Sequence, residues 1–228
     1  MTSMFKMPVL LAAAVAMGLH QSSHAVLLAA NSTVALPGTT VAAEPQLAGT
    51  VLEDVDQPFS FVDSTGHTLS GVVQNRVVRS SVDGTLDFYW RIKDTSGTSA
   101  SGDPGAITSF RVGGFGDIEL NANWRIDGLG TVNPDEAHRF ADPSFVNFLF
   151  GGNGLTPTDD SVFFFLDTKA TAYAKIGIYD FTGTGGNGIS SSYATFAPVP
   201  EPSSMMLVVA GLLAVGWIGR RRFQAMPD

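Results

Sequence analysis

Between Thr85 and Lys93 the chain alternates strictly, with Leu86, Phe88, Trp90 and Ile92 on one side and Asp87, Tyr89, Arg91 and Lys93 on the other. Successive side chains of a strand point to opposite faces, so a period of two predicts a strand with one face on a core and the other in water. Ser81-Val82-Asp83-Gly84 supplies a glycine-containing hairpin turn just before it, and Leu69 to Ser80, with its valine pairs Val72-Val73 and Val77-Val78, is the expected antiparallel partner. Further short strands are expected over residues 48–55, 59–63, 107–112, 118–126, 145–150, 162–167, 171–180 and 193–196. Clusters of Gly, Ser, Asp and Pro separate them, notably Thr95 to Gly105 and Gly151 to Asp160. Regularly spaced strands without helical periodicity predict an all-β fold, an antiparallel two-sheet sandwich or jelly roll, with a closed barrel as the alternative.

Composition narrows the partners. The 228 residues carry a formal net charge of −8, which disfavours nucleic acid as a partner. There is no cysteine, so the chain is held by packing without disulfides and has no thiol for catalysis. The clusters Phe145/Phe148/Phe150 and Phe163-Phe164-Phe165 could stack on sugar rings as exposed platforms, but consecutive aromatics in a strand more often face two packed layers, and core is the expectation.

Both ends carry signals. Residues 1–25 read as a secretory signal peptide: Lys6 gives the positive start, Met7 to Leu19 the apolar run, and Ser23-His24-Ala25 a small-x-small cleavage site. Cleavage after Ala30 or Ala43 also fits that pattern. Residues 26–45, rich in Ala, Thr, Gly and Pro, show neither helical nor strand period and are expected to be a flexible leader to a sandwich domain over 46–197. Residues 198–228 form a three-part tail. Pro198-Val199-Pro200-Glu201-Pro202 arrives extended, because prolines disfavour helix at the residues before them. Met205 to Gly219 is apolar, and a helix from Ser203 to Gly219 would rise about 25 Å, slightly less than a hydrocarbon core of roughly 30 Å. Arg220, Arg221 and Arg222 then stay on the cytoplasmic side and orient everything upstream across the membrane.

This order resembles the PEP-CTERM sorting signal of Gram-negative bacteria that make extracellular polysaccharide. The matching residues are Val199, Pro200, Glu201 and Pro202, the apolar run Met205 to Gly219, and Arg220-Arg221-Arg222. The resemblance implies an exosortase-type membrane peptidase as partner, cleavage near the Pro-Glu-Pro, transient residence in the bacterial inner membrane, and release to the cell surface or exopolysaccharide matrix. Glu201 is then recognised, not catalytic. The tail Phe223 to Asp228 continues past the arginines further than the pattern leads one to expect.

Sites of chemistry are sparse. His67 and His138 are far apart without a ligand-spaced companion, and His67 sits in the turn-like Ser64-Thr65-Gly66-His67. Calcium is the better metal candidate, through Asp135, Glu136 and Asp142 or Asn153, Asp159 and Asp160, yet no EF-hand or glycine-aspartate repeat is present, and solvated loop carboxylates are the expectation. No nucleophile elbow, zinc-protease helix or phosphate loop occurs, and Gly113-Gly114-Phe115-Gly116 and Gly183 to Gly188 read as turns. No catalytic residue, metal ligand or cofactor is assigned. The expected function is that of an exported, non-enzymatic surface or matrix protein, with a carbohydrate-binding module as the alternative and an acidic hydrolase as a third reading.

Overall fold

In a computed structural model the described residues are 24–98, 102, 105–186 and 188–199. They form β1 (Val26–Leu27), β2 (Ser32–Ala35), a 3-10 turn (Pro45–Leu47), β3 (Gly49–Val62), β4 (Thr68–Ser80), β5 (Leu86–Thr98), β6 (Ile107–Gly113), β7 (Leu120–Trp124), β8 (Glu136–Arg139), β9 (Phe145–Leu149), β10 (Phe164–Thr168), β11 (Tyr173–Gly183) and β12 (Tyr193–Pro198). Two six-stranded sheets result, in the orders β1-β7-β10-β5-β4-β3 and β12-β11-β6-β9-β8-β2. The paired strands run antiparallel. Among the described residues no helix is long and apolar enough to cross a membrane. The expected signal peptide up to Ser23 and the expected anchor helix lie outside them.

The apolar face expected of Thr85–Lys93 is the centre of the core. Phe88, Trp90 and Ile92 of β5 meet Phe110 and Val112 of β6, Phe148 of β9, Phe164 of β10, and Tyr179 and Phe181 of β11. The expected turn joins β4 to β5 in register, Arg79 opposite Leu86. The separate segments 48–55 and 59–63 are one long strand, β3, bulged between Val51 and Glu53. Pro58 sits within it because β3 is an edge strand, where a missing N–H breaks no ladder bond. The phenylalanine clusters are core, as composition led us to expect: Phe148, Phe150, Phe164 and Phe165 are buried. Along β10 and the residue before it they serve both faces, Phe164 the interior and Phe163 and Phe165 a second cluster on the outside of the first sheet.

That second cluster corrects two expectations. The polar side of β5 is not wet along its first half: Asp87 is 1% and Tyr89 3% exposed, while Arg91 and Lys93 are partly exposed. Residues 26–45 are not an unstructured leader, since they provide β1 and β2 and then cross the outside of the first sheet. Leu28 and Leu36 are buried in the main core, and Val41 and Leu47 pack with Val78, Tyr89, Phe163 and Phe165 in the outer cluster. Gly38, with φ +79°, passes over Trp124 so closely that a Cβ there would lie 2.6 Å from the indole. The segment's backbone bonds run to β7 and its following turn: Thr39 N–H to the Trp124 carbonyl (2.9 Å), Gly38 N–H to Asn123 Oδ1 (2.8 Å) and Val41 N–H to Asp127 Oδ2 (3.0 Å). Single contacts to side chains and a neighbouring edge impose no period, so nothing in the pattern of Asn31 to Pro45 announced them.

Candidate functional site

β12 is an edge strand whose last residues stay in the ladder: Ala197 lies opposite Ala174 and Pro198 opposite Tyr173. Val199, the first residue of the expected motif, still donates its N–H to the Ala172 carbonyl at 3.0 Å. The folded domain and the motif therefore meet with no intervening linker. Pro198 and Val199 also form one wall of a cleft of about 440 Å³, together with Phe115, Gly116, Ile118 and Ala170. Pro200, Glu201, Pro202, Arg220, Arg221 and Arg222 lie outside the described residues.

The same end of the sandwich is fastened by a cation that sequence reasoning passed over. Arg139 of β8, 3% exposed, donates to the carbonyls of Leu28, Pro143, Gly116 and Ile118 at 2.8 to 3.1 Å. Desolvation lowers its pKa, with Asp117 acting against that shift. The only sequence sign was an arginine at an alternate position of a short strand within what read as loop.

A second unforeseen feature is acidic. Asp87 of β5 stands opposite Asp167 of β10. Neither Asp87 oxygen receives an N–H or alcohol donor, so the natural partner is the facing carboxyl, and two acceptors can bond only through a shared proton. Burial first, and then the Asp167 charge, push the Asp87 carboxyl up to about 9. Burial also raises Asp167, against a hydrogen bond from Asn121 at 3.3 Å. A glycosidase needs two carboxyl groups set apart across an open cleft. These are neighbours across a strand pair, with Asp87 sealed from solvent.

The residues weighed for metal or base chemistry are committed elsewhere. Asp63 Oδ2 and the Thr65 hydroxyl both bond His67 at Nδ1 (2.9 and 2.5 Å), whereas a relay would hold the nucleophile at the other nitrogen. Desolvation opposes ionisation of Asp63, but bonds from Thr65 and His67 prevail and hold its pKa at about 2. Asp142 caps the Ser144 N–H at 3.1 Å, Asp159 binds the Thr156 N–H at 3.0 Å, and Asp160 pairs with Arg91 at 2.5 Å. Glu136 belongs to β8, and Asp135 accepts from Asn133 at 3.2 Å. Among the described residues no three His, Cys, Asp or Glu side chains are grouped so as to hold a metal ion.

One further opening lies on the outside of the first sheet. A cleft of about 260 Å³ is lined by Arg76, Tyr89, Arg125, Asp127, Leu129 and Phe163. The Arg76 guanidinium lies 4.5 Å from the Phe163 ring centroid and pairs with Asp54 at 2.7 Å, while its Nε has no acceptor among the described residues.

The family model of the PEP-CTERM protein-sorting motif matches residues 198–222, the stretch that begins on the last residue of β12. No curated protein and no solved structure matches the chain.

Proposed function

Because the chain is a PEP-CTERM sorting domain-containing protein, with the motif at residues 198–222, we propose that it is a non-enzymatic surface or matrix protein, released by an exosortase and retained at the cell surface or in exopolysaccharide. It is exported by the Sec pathway and held in the inner membrane until it is cut. The observation that carries this reading is the direct join between fold and motif, with Val199 still bonded to Ala172. Cleavage near Pro200-Glu201-Pro202 would separate the anchor without cutting a strand, leaving both sheets whole. The test is the intact mass of the protein from its own host with and without the sorting peptidase. Loss of residues 203–228 only when the peptidase is present supports the reading; the same mass in both strains overturns it. A companion variant, Pro200→Ala with Glu201→Ala, is expected to keep the domain's melting temperature and change its destination.

A second reading, saccharide binding, is favoured by the Arg76–Arg125 cleft and not by the phenylalanines, which are largely internal. Two guanidinium groups and an exposed Leu129 suit the carboxylate and ring of an acidic sugar. Titration with uronic acid oligosaccharides, in wild type and Arg125→Gln, tests it; equal binding or none in both overturns it.

A further inference from the structure

We propose that removal of residues 1–25, the expected signal peptide, creates a new α-ammonium group at Val26 that docks on the buried carboxyl group of Glu44. The inference rests on the export reading above and deepens it.

Glu44, on the segment that crosses the first sheet, is 3% exposed. One of its oxygens accepts the Ala25 N–H at 2.7 Å, with His24 Nδ1 3.7 Å away and Gln46 Nε2 at 3.4 Å; the other oxygen has no partner among the described residues. Its surroundings add negative groups, and Lys169, which follows β10 and feels the Asp167 charge, is paired with Glu119 at 2.6 Å. Asp167 of β10 feels the charges of Glu44 and of Asp83 in the β4–β5 turn, and Asp87 of β5 stands opposite Asp167. β7 contributes the neutral Asn121 and Asn123, and the cation beyond it, Arg125, is paired with Asp127 at 2.6 Å.

The structure also selects among the three small-x-small sites. Cleavage after Ala30 would remove β1 and the buried Leu28, and cleavage after Ala43 would remove β2 and Leu36 as well. Cleavage after Ala25 leaves Val26 opposite Ala122 in the sheet and keeps both core leucines. It also takes away His24 and Ala25, two of the three donors near Glu44. A buried carboxyl group stripped of partners is costly, and the same cut supplies the remedy one residue along, about 3.8 Å between Cα atoms. An ammonium with three N–H groups can keep the bond into the β7 ladder and give the others to Glu44.

The test uses the exported protein purified from its host, wild type and Glu44→Gln. Intact mass and N-terminal sequencing fix the first residue. An amine-acylating reagent is then applied from pH 6 to 10, with the lysine amines as internal standard. A wild-type α-amine that reacts about tenfold more slowly at pH 8 than that of Glu44→Gln, and titrates above the ordinary α-amino value of about 7.7–8.0, is the expected result. The wild-type titration needs no variant and reads the docking even if Glu44→Gln folds poorly. A first residue of Val26 with an ordinary titration overturns the docking and leaves the processing intact. A first residue of Asn31 or Glu44 overturns the docking and leaves export standing, and a protein that still begins at Met1 overturns both.

Discussion

Trp90 and Thr195 join the two sheets through a buried hydrogen bond: the indole N–H of β5 donates to the Thr195 hydroxyl of β12 at 3.0 Å. Thr195 passes its own proton back to Asn75 Oδ1 on β4 at 2.8 Å, so one hydroxyl satisfies two side chains of the opposite sheet. Thr195→Val keeps the shape but strands both the indole N–H and the Asn75 oxygen. Its expected cost is about 3 kcal/mol in urea unfolding, since each buried polar group left unmatched costs about 1–3 kcal/mol. Pairing it with Trp90→Phe in a double-mutant cycle should return a coupling of about 1–2 kcal/mol; strict additivity would deny the bond an energetic role.

The Asp87–Asp167 pair predicts an unusual pH dependence. A free aspartate has a pKa of about 3.9, and Asp87 in the fold sits at about 9. Below about pH 4 both folded and unfolded states hold the proton, and the site carries no ionisation penalty. From there to about pH 9 the unfolded state binds fewer protons than the folded one, so this site's contribution to stability falls as pH rises. Asp87→Asn retains a donor toward Asp167 and does not titrate. It should be worth about 2 kcal/mol or more at pH 8 and little at pH 4, read from chemical denaturation at the two pH values. A stabilisation of equal size at both would show that the proton is not the cause.

Arg139 holds four carbonyls, those of Leu28, Pro143, Gly116 and Ile118, on one guanidinium. A lysine keeps the charge but has a single nitrogen in place of the planar fork. Arg139→Lys is therefore expected to cost about 2–4 kcal/mol and to speed amide exchange around Leu28, Gly116 and Ile118. Exchange unchanged at those three sites would assign the arginine no role in closing that end.

Truncation separates a true leader from a structural strap. A chain starting at Val26 should show one cooperative melt, whereas one starting at Glu44 lacks Leu28, Leu36, β1 and β2. The shorter chain should bind a hydrophobic dye and aggregate, because Phe163, Phe165 and Tyr89 lose part of their cover. Equal melting of the two chains would return residues 26–43 to the status of a leader.

The sequence by itself determined the strand character, the β4–β5 hairpin, the inward face of β5 and the sorting motif. Each is a local pattern: a period of two, a turn at a fixed place, or an ordered run of proline, apolar and basic residues. Only the tertiary structure decided what covers the other face. Asp87 and Tyr89 occupy positions that alternation assigns to water, and they are buried because a segment more than forty residues upstream in the chain lies over them. That segment has no period because its partners are single groups on β7 and β10. The same holds for Glu44, Arg139 and the Asp87–Asp167 pair, whose partners are set by strand order and register. Spacing along a chain reports which way a side chain points, but what it meets there depends on which strands become neighbours.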